Sequence, residues 1–187
     1  MRDLSLHILD LIENSIRVDA TIVAVTVVED PASDTLRIVV EDNGPGLSVP
    51  PETALDPFYT TKRGKRTGLG LSLIHGAAQR AGGGVELSRS PLGGLAVAAT
   101  MRLTHVDRSP LGDLAATFSS VVCTNPEVDL WCRFIRRRAA QDGDCECVVR
   151  SSDVEKELPA RERCGLAVAR RLAEKVREGL ATVEIAV

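Results

Sequence analysis

The sequence predicts an α/β protein, and three segments carry that expectation. Apolar residues recur at helical spacing between Leu4 and Val18. A strand, Leu36-Arg37-Ile38-Val39-Val40-Glu41, runs straight into Asp42-Asn43-Gly44-Pro45-Gly46. A second helical pattern then opens on Gly68-Leu69-Gly70. The 187 residues suit one domain, or one domain plus a small appendage.

In the first segment Leu4, Ile8, Leu11, Ile12 and Ile16 form the stripe to be buried. His7, Asp10, Asn14 and Arg17 line up on another face. That row offers a base, an amide oxygen and a cation within three turns. Magnesium takes oxygen ligands, commonly one or two from protein and the rest from phosphate and water. A solvated helix face is the competing explanation of the same row.

The strand is fixed by the alternation of Leu36, Ile38 and Val40. A carboxylate at its end, followed by Gly44 and Gly46, suits close approach of backbone to a ligand. Downstream, Leu71, Ile74, His75, Ala78 and Ala81 have helical spacing, so Gly68 and Gly70 stand where a helix begins. Backbone N–H groups at such a start make a phosphate site. The glycines match neither the strand-linked dinucleotide pattern nor the P-loop.

Together these segments resemble the GHKL ATPases, the ATP-binding domains of gyrase-type, heat-shock-protein-90-type, histidine-kinase and mismatch-repair proteins. Asp10–Arg17 looks like the N box and Asp42–Gly46 like the G1 box. Asp56-Pro57-Phe58-Tyr59-Thr60-Thr61-Lys62 looks like the F box, and Thr67–Leu73 like the G2 box. The wording is closest to histidine kinases. The resemblance implies a two-layer α/β sandwich of the Bergerat ATP-binding type, a mixed sheet with helices on one face, across residues 1–105. It also implies roles. Asn14 ligates Mg²⁺, Asp42 accepts the adenine amino hydrogen, and Asp10 stands where a glutamate general base is common, one methylene shorter. Arg17 matches the basic residue one turn on. Gly44 and Gly46 begin a mobile lid holding Thr61 and Lys62, while Gly68, Leu69 and Gly70 meet phosphates. The position after Gly93-Gly94 is often Thr or Ser in kinases and is Leu95 here, a change expected to cost little. The lid, residues 47–67, shows almost no apolar periodicity.

Residues 106–187 predict a small helix-hairpin-helix extension of unknown role. Ser109-Pro110 looks like the start of a helix through Val122, and Asn125-Pro126 its end. Val128–Arg136 and Cys145–Val149 form a strand pair around a turn at Gln141–Asp144. Ser152-Asp153-Val154-Glu155 reads as a capping box, and a final helix covers about 160–179. The junction His105–Asp113 is similar to small stand-alone bacterial ATP-binding proteins. Cys145 and Cys147 share one side of their strand, yet the five cysteines match no zinc or iron–sulfur spacing.

Net charge of −3 gives no reason to expect nucleic-acid affinity, and no apolar run approaches a membrane span. The expectation is a cytoplasmic protein. The N box begins almost at Met1, which leaves no room for a phosphoacceptor helix pair, and His7, His75 and His105 fit structural or surface roles. The functional expectation is a histidine-kinase-like ATPase or kinase of two-component type, using ATP and Mg²⁺ and acting on a protein partner. Relatives often dimerise, which allows a homodimer. An anti-sigma-factor-type serine/threonine kinase and an ATP-dependent switch without phosphotransfer are the alternatives.

Overall fold

Alternating burial along the strands at 22–30, 35–42 and 129–136 turns one sheet face to the core. The computed structural model describes residues 3–56, 69–138 and 143–185. In chain order these form α1 (Leu4–Arg17), β1 (Ile22–Asp30), β2 (Thr35–Asp42), α2 (Pro51–Ala54), α3 (Leu69–Arg80), β3 (Gly84–Arg89) and β4 (Leu95–Arg102). α4 (Leu114–Thr124), β5 (Asp129–Arg136), β6 (Cys145–Arg150), α5 (Ser151–Glu157) and α6 (Gly165–Val183) follow.

The six strands make one sheet in the order β3-β4-β2-β1-β5-β6. Every pairing is antiparallel except β1 with β5. Register puts Leu87, Val97, Val40, Val25, Cys132 and Val149 in one row across all six strands. Helical side chains, among them Ile8, Ile12, Ile74, Phe118 and Leu172, belong to the same buried cluster. This is a two-layer sandwich with a mixed sheet and helices on one face. With two fully buried phenylalanines, Phe118 and Phe134, and otherwise aliphatic side chains, the core reflects the low aromatic content.

The segment after residue 105 extends this sheet through β5 and β6 and reaches back to the first helix. Leu4 N–H donates to Pro110 O at 2.9 Å and Ser5 N–H to Leu111 O at 2.8 Å. Those bonds satisfy amides that a helix start leaves open, and Asp3 caps a third at Leu6 N.

Several local expectations change. β1 went unread, because its apolar residues Ile22, Val23, Ala24, Val25, Val27 and Val28 run on both faces and blur the alternation. α2 adds a single turn, started by Pro51 at N1, within the span expected to lack structure. α4 begins at Leu114 with Asp113 as its cap, not at Pro110, because Gly112 takes φ +79 and breaks the helix there. The capping box at Ser152 does not form. Asp129 Oδ1 from β5 accepts Ser152 N–H at 3.0 Å and satisfies the α5 start instead. The last helix is displaced to Gly165–Val183, after a 3-10 turn at Ala160–Glu162. Its Gly179 passes close to Cys147, where a Cβ would lie 2.6 Å from Sγ. Among the described residues no helix is long and apolar enough to cross a membrane.

Candidate functional site

β2 delivers Asp42 to the edge of the core with its side chain 4% exposed. A buried carboxylate must be hydrogen-bonded, and three groups among the described residues meet it. Ser15 Oγ donates to Oδ2 at 2.7 Å, while Gly44 N–H and Leu95 N–H donate to Oδ1 at 2.9 and 3.1 Å. A carboxylate offers about four lone-pair positions, and the three donors leave one of them open among the described residues. Gly94 permits this packing. A Cβ there would lie 2.1 Å from Asp42 Oδ1 and 2.6 Å from Gly44 N. Gly46 adopts φ +77, a conformation side chains resist, as the chain turns out of β2. Asn43 ties the turn down: its Oδ1 accepts Thr21 N–H and Ile22 N–H, both at 2.9 Å.

The other end of the candidate site is assembled by α1 and α3. A Cβ on Gly70 would lie 2.2 Å from Asp10 Oδ2 and 3.0 Å from Asn14 Nδ2. Asp10 and Asn14 therefore press directly on the first turn of α3, where unpaired N–H groups gather. Arg17, exposed, donates from Nη1 to Asn14 Oδ1 at 2.6 Å. Adjacent residues of α1 thus serve both ends, Asn14 facing α3 and Ser15 facing β2.

Asp10, Asn14, Arg17 and Gly70 are brought together, and Asp42 and Gly44 join them through Ser15. Leu69 opens α3. Thr61, Lys62 and Gly68, with Phe58 and most of the expected lid, lie outside the described residues. Sequence reasoning missed Ser15. The signal was a hydroxyl at i+4 from Leu11, inside the apolar stripe, where a buried polar group demands a partner. Leu95 also enters the site, through its backbone N–H to Asp42 and not through its side chain.

The remaining member of the α1 row, His7, is 4% exposed, and its Nδ1 has no hydrogen-bond partner among the described residues. Burial pushes its imidazole below the ordinary histidine range. His105 Nδ1 accepts Asp107 N–H at 3.1 Å within a tight turn. The chemistry of the donor set suits magnesium: the Asp10 carboxylate lies at the start of α3 and the Asn14 amide supplies a hard oxygen, although here that oxygen accepts from Arg17 and it is Nδ2 that lies nearest Gly70. Concave regions between α4 and α6 and near the α6 start involve none of these residues.

Residues 2–105 match the profile of the histidine kinase-, DNA gyrase B- and HSP90-like ATPases. The chain belongs to this family. Its mixed sheet with one helical face is the family's Bergerat ATP-binding fold, and the domain is a histidine-kinase-like ATP-binding domain. The sensor histidine kinase CpxA of Escherichia coli (strain K12) is 36% identical over 92 residues, 46% of this chain and 20% of CpxA. The sensor kinase CckA of Brucella abortus is 44% identical over 55 residues, covering 28% of this chain and 6% of CckA. The ATP-binding domain of PrrB from Mycobacterium tuberculosis is similar in structure, with a TM-score of 0.39 and 28% identity over 52% of this chain and 66% of that one. The match thus spans about a fifth of CpxA.

Proposed function

We propose that this domain binds Mg-ATP and acts as a histidine-kinase-like ATPase or kinase that phosphorylates, or signals to, a partner protein. The observation that carries the ATP reading is Asp42, buried at a strand end, held by three donors and left with one acceptor position. An acceptor there selects the amino group of adenine over the carbonyl of guanine. Asn14 would hold the magnesium ion, which supplies charge neutralisation across the phosphates when bound. Gly70 and the α3 start would take the phosphates, Arg17 would approach them as a cation, and Asp10 would accept the proton of the attacking group. Thr61, Lys62 and Gly68 belong to the lid and phosphate loop of the same reading.

The partner reading draws on the histidines. His7 is buried and His105 is engaged in a turn, so neither is presented as a phosphoacceptor. His75 is half-buried on α3, and the reading places the acceptor on a partner protein, in the manner of two-component signalling in the cytoplasm. Incubation with γ-labelled ATP and a lysate of the source tests this. Acid-labile label on a second protein supports the histidine-kinase reading, and acid-stable label points to serine/threonine transfer. Nucleotide binding without label on any protein points to a conformational switch.

A further inference from the structure

Among the described residues, one buried side-chain nitrogen lacks a hydrogen-bond partner, and it is His7 Nδ1. Folded cores ordinarily avoid this, because an unsatisfied buried polar atom keeps its full desolvation cost. The ring is not in a remote corner. It stands on α1 one turn before Asp10, and helix side chains three residues apart are neighbours.

Asp10 makes no hydrogen bond to that nitrogen. Its Oδ2 fills the space beside Gly70, at the first turn of α3. That is where helix N–H groups favour an anion, and where phosphate would stand. Without nucleotide the carboxylate is itself the anion at this place. Carboxylate and phosphate repel at contact distance, so one must yield. A glycine offers no side chain to hold Asp10 there, and the nearest unsatisfied partner along α1 is His7.

We propose that His7 is a positioning residue for Asp10: phosphate arriving at α3 displaces the Asp10 carboxylate, which then accepts a hydrogen bond from His7 Nδ1–H. The orphan nitrogen is satisfied only in the nucleotide-bound state, and Asp10 is held with its second oxygen free for the attacking group. Other charges acting on the ring are the chain's N-terminal amine, Arg80 at the end of α3 and Asp3 at the α1 cap, and none of them bonds Nδ1. The proposal rests on the reading that Asp10 works at the phosphates.

Imidazole ¹⁵N signals of the labelled chain, recorded at fixed pH with and without a non-hydrolysable Mg-ATP analogue, test it on the wild-type protein. Calorimetry on the same sample verifies saturation. His7 Nδ1 should become protonated and hydrogen-bonded in the complex, and Asp10→Ala should abolish the change. A saturated complex with an unchanged Nδ1 signal overturns the proposal while leaving the ATP site intact. No binding at all removes the site reading, and the proposal with it.

ATP turnover supplies a second test. His7→Asn retains a donor near Nδ1, His7→Gln places one near Nε2, and His7→Leu has none. His7→Asn should stay near wild type. The other two should lose about ten- to a hundredfold in kcat, the equivalent of one hydrogen bond to a charged group, with affinity for Mg-ATP little changed. Equal turnover in His7→Asn and His7→Leu contradicts the assignment.

Discussion

At the β2 end of the site a 4% exposed carboxylate receives three hydrogen bonds, two of them from backbone. At the α3 end Asp10 and Asn14 are half-buried, and the 2.6 Å bond on Asn14 comes from an exposed arginine. The first arrangement has its geometry set before any ligand arrives, so its selectivity comes without reorganisation. The second can rearrange, which suits the role proposed for it at the phosphates. The two glycines at these ends record the same contrast. The atoms nearest a Cβ on Gly94 include backbone as well as the Asp42 carboxylate, whereas the nearest to a Cβ on Gly70 are side-chain atoms of Asp10 and Asn14.

The largest expected effect tests that contrast directly. Gly94→Ala forces backbone apart and should cost about 3 kcal/mol of stability by overpacking. Gly70→Ala should unfold little, because side chains can yield, yet weaken Mg-ATP binding. Equal destabilisation of the two variants, measured by urea unfolding, would erase the distinction between a fixed and an adaptable end.

Next in size is Asn14. Asn14→Ala should keep the fold and lower Mg-ATP affinity about tenfold or more, as expected for loss of about 1.5–3 kcal/mol from one bond to a charged group. Asn14→Asp should change the dependence on magnesium concentration. Unchanged calorimetric affinity in both variants takes Asn14 out of the site.

Much of this was legible in the sequence. The row on α1, the carboxylate ending β2 and the glycine opening α3 are local features, and each is read from spacing within one segment. What escaped needed the fold. Ser15 becomes meaningful only when β2 lies beneath α1, and Leu95 only when β4 pairs with β2 and aims its N–H at Asp42. The α5 start failed as a prediction for the same reason. A carboxylate on a neighbouring strand, Asp129, outcompeted the local capping box. β1 was hidden by having apolar side chains on both faces.

Ser15→Ala sharpens the comparison from the fixed end. Removing the 2.7 Å donor leaves Asp42 Oδ2 short of a partner and should cost about 1–2 kcal/mol of stability. It should also narrow the preference for ATP over GTP. A stability change below the error of denaturant unfolding would show that the two backbone donors suffice.

The smallest effect belongs to His7. Its folded pKa lies below the ordinary 6.5, so the unfolded chain takes up the proton first as pH falls. Stability from this group is therefore fully present above 6.5 and is lost as pH drops below it. The unfolding midpoint should be lower at pH 5.5 than at pH 7.5, and His7→Leu should reduce that difference. An identical difference in the variant would assign the acid sensitivity elsewhere.

The central claim is that Asp42, preset at the end of β2, makes this an adenine site. Calorimetric titration of the wild type and Asp42→Asn with Mg-ATP and Mg-GTP tests it most directly. The wild type should bind ATP and prefer it to GTP clearly, and Asp42→Asn should lose about ten- to a hundredfold in ATP affinity, equivalent to about 1.5–3 kcal/mol. Equal binding of ATP and GTP by the wild type, or undiminished ATP binding by the folded variant, would contradict the account.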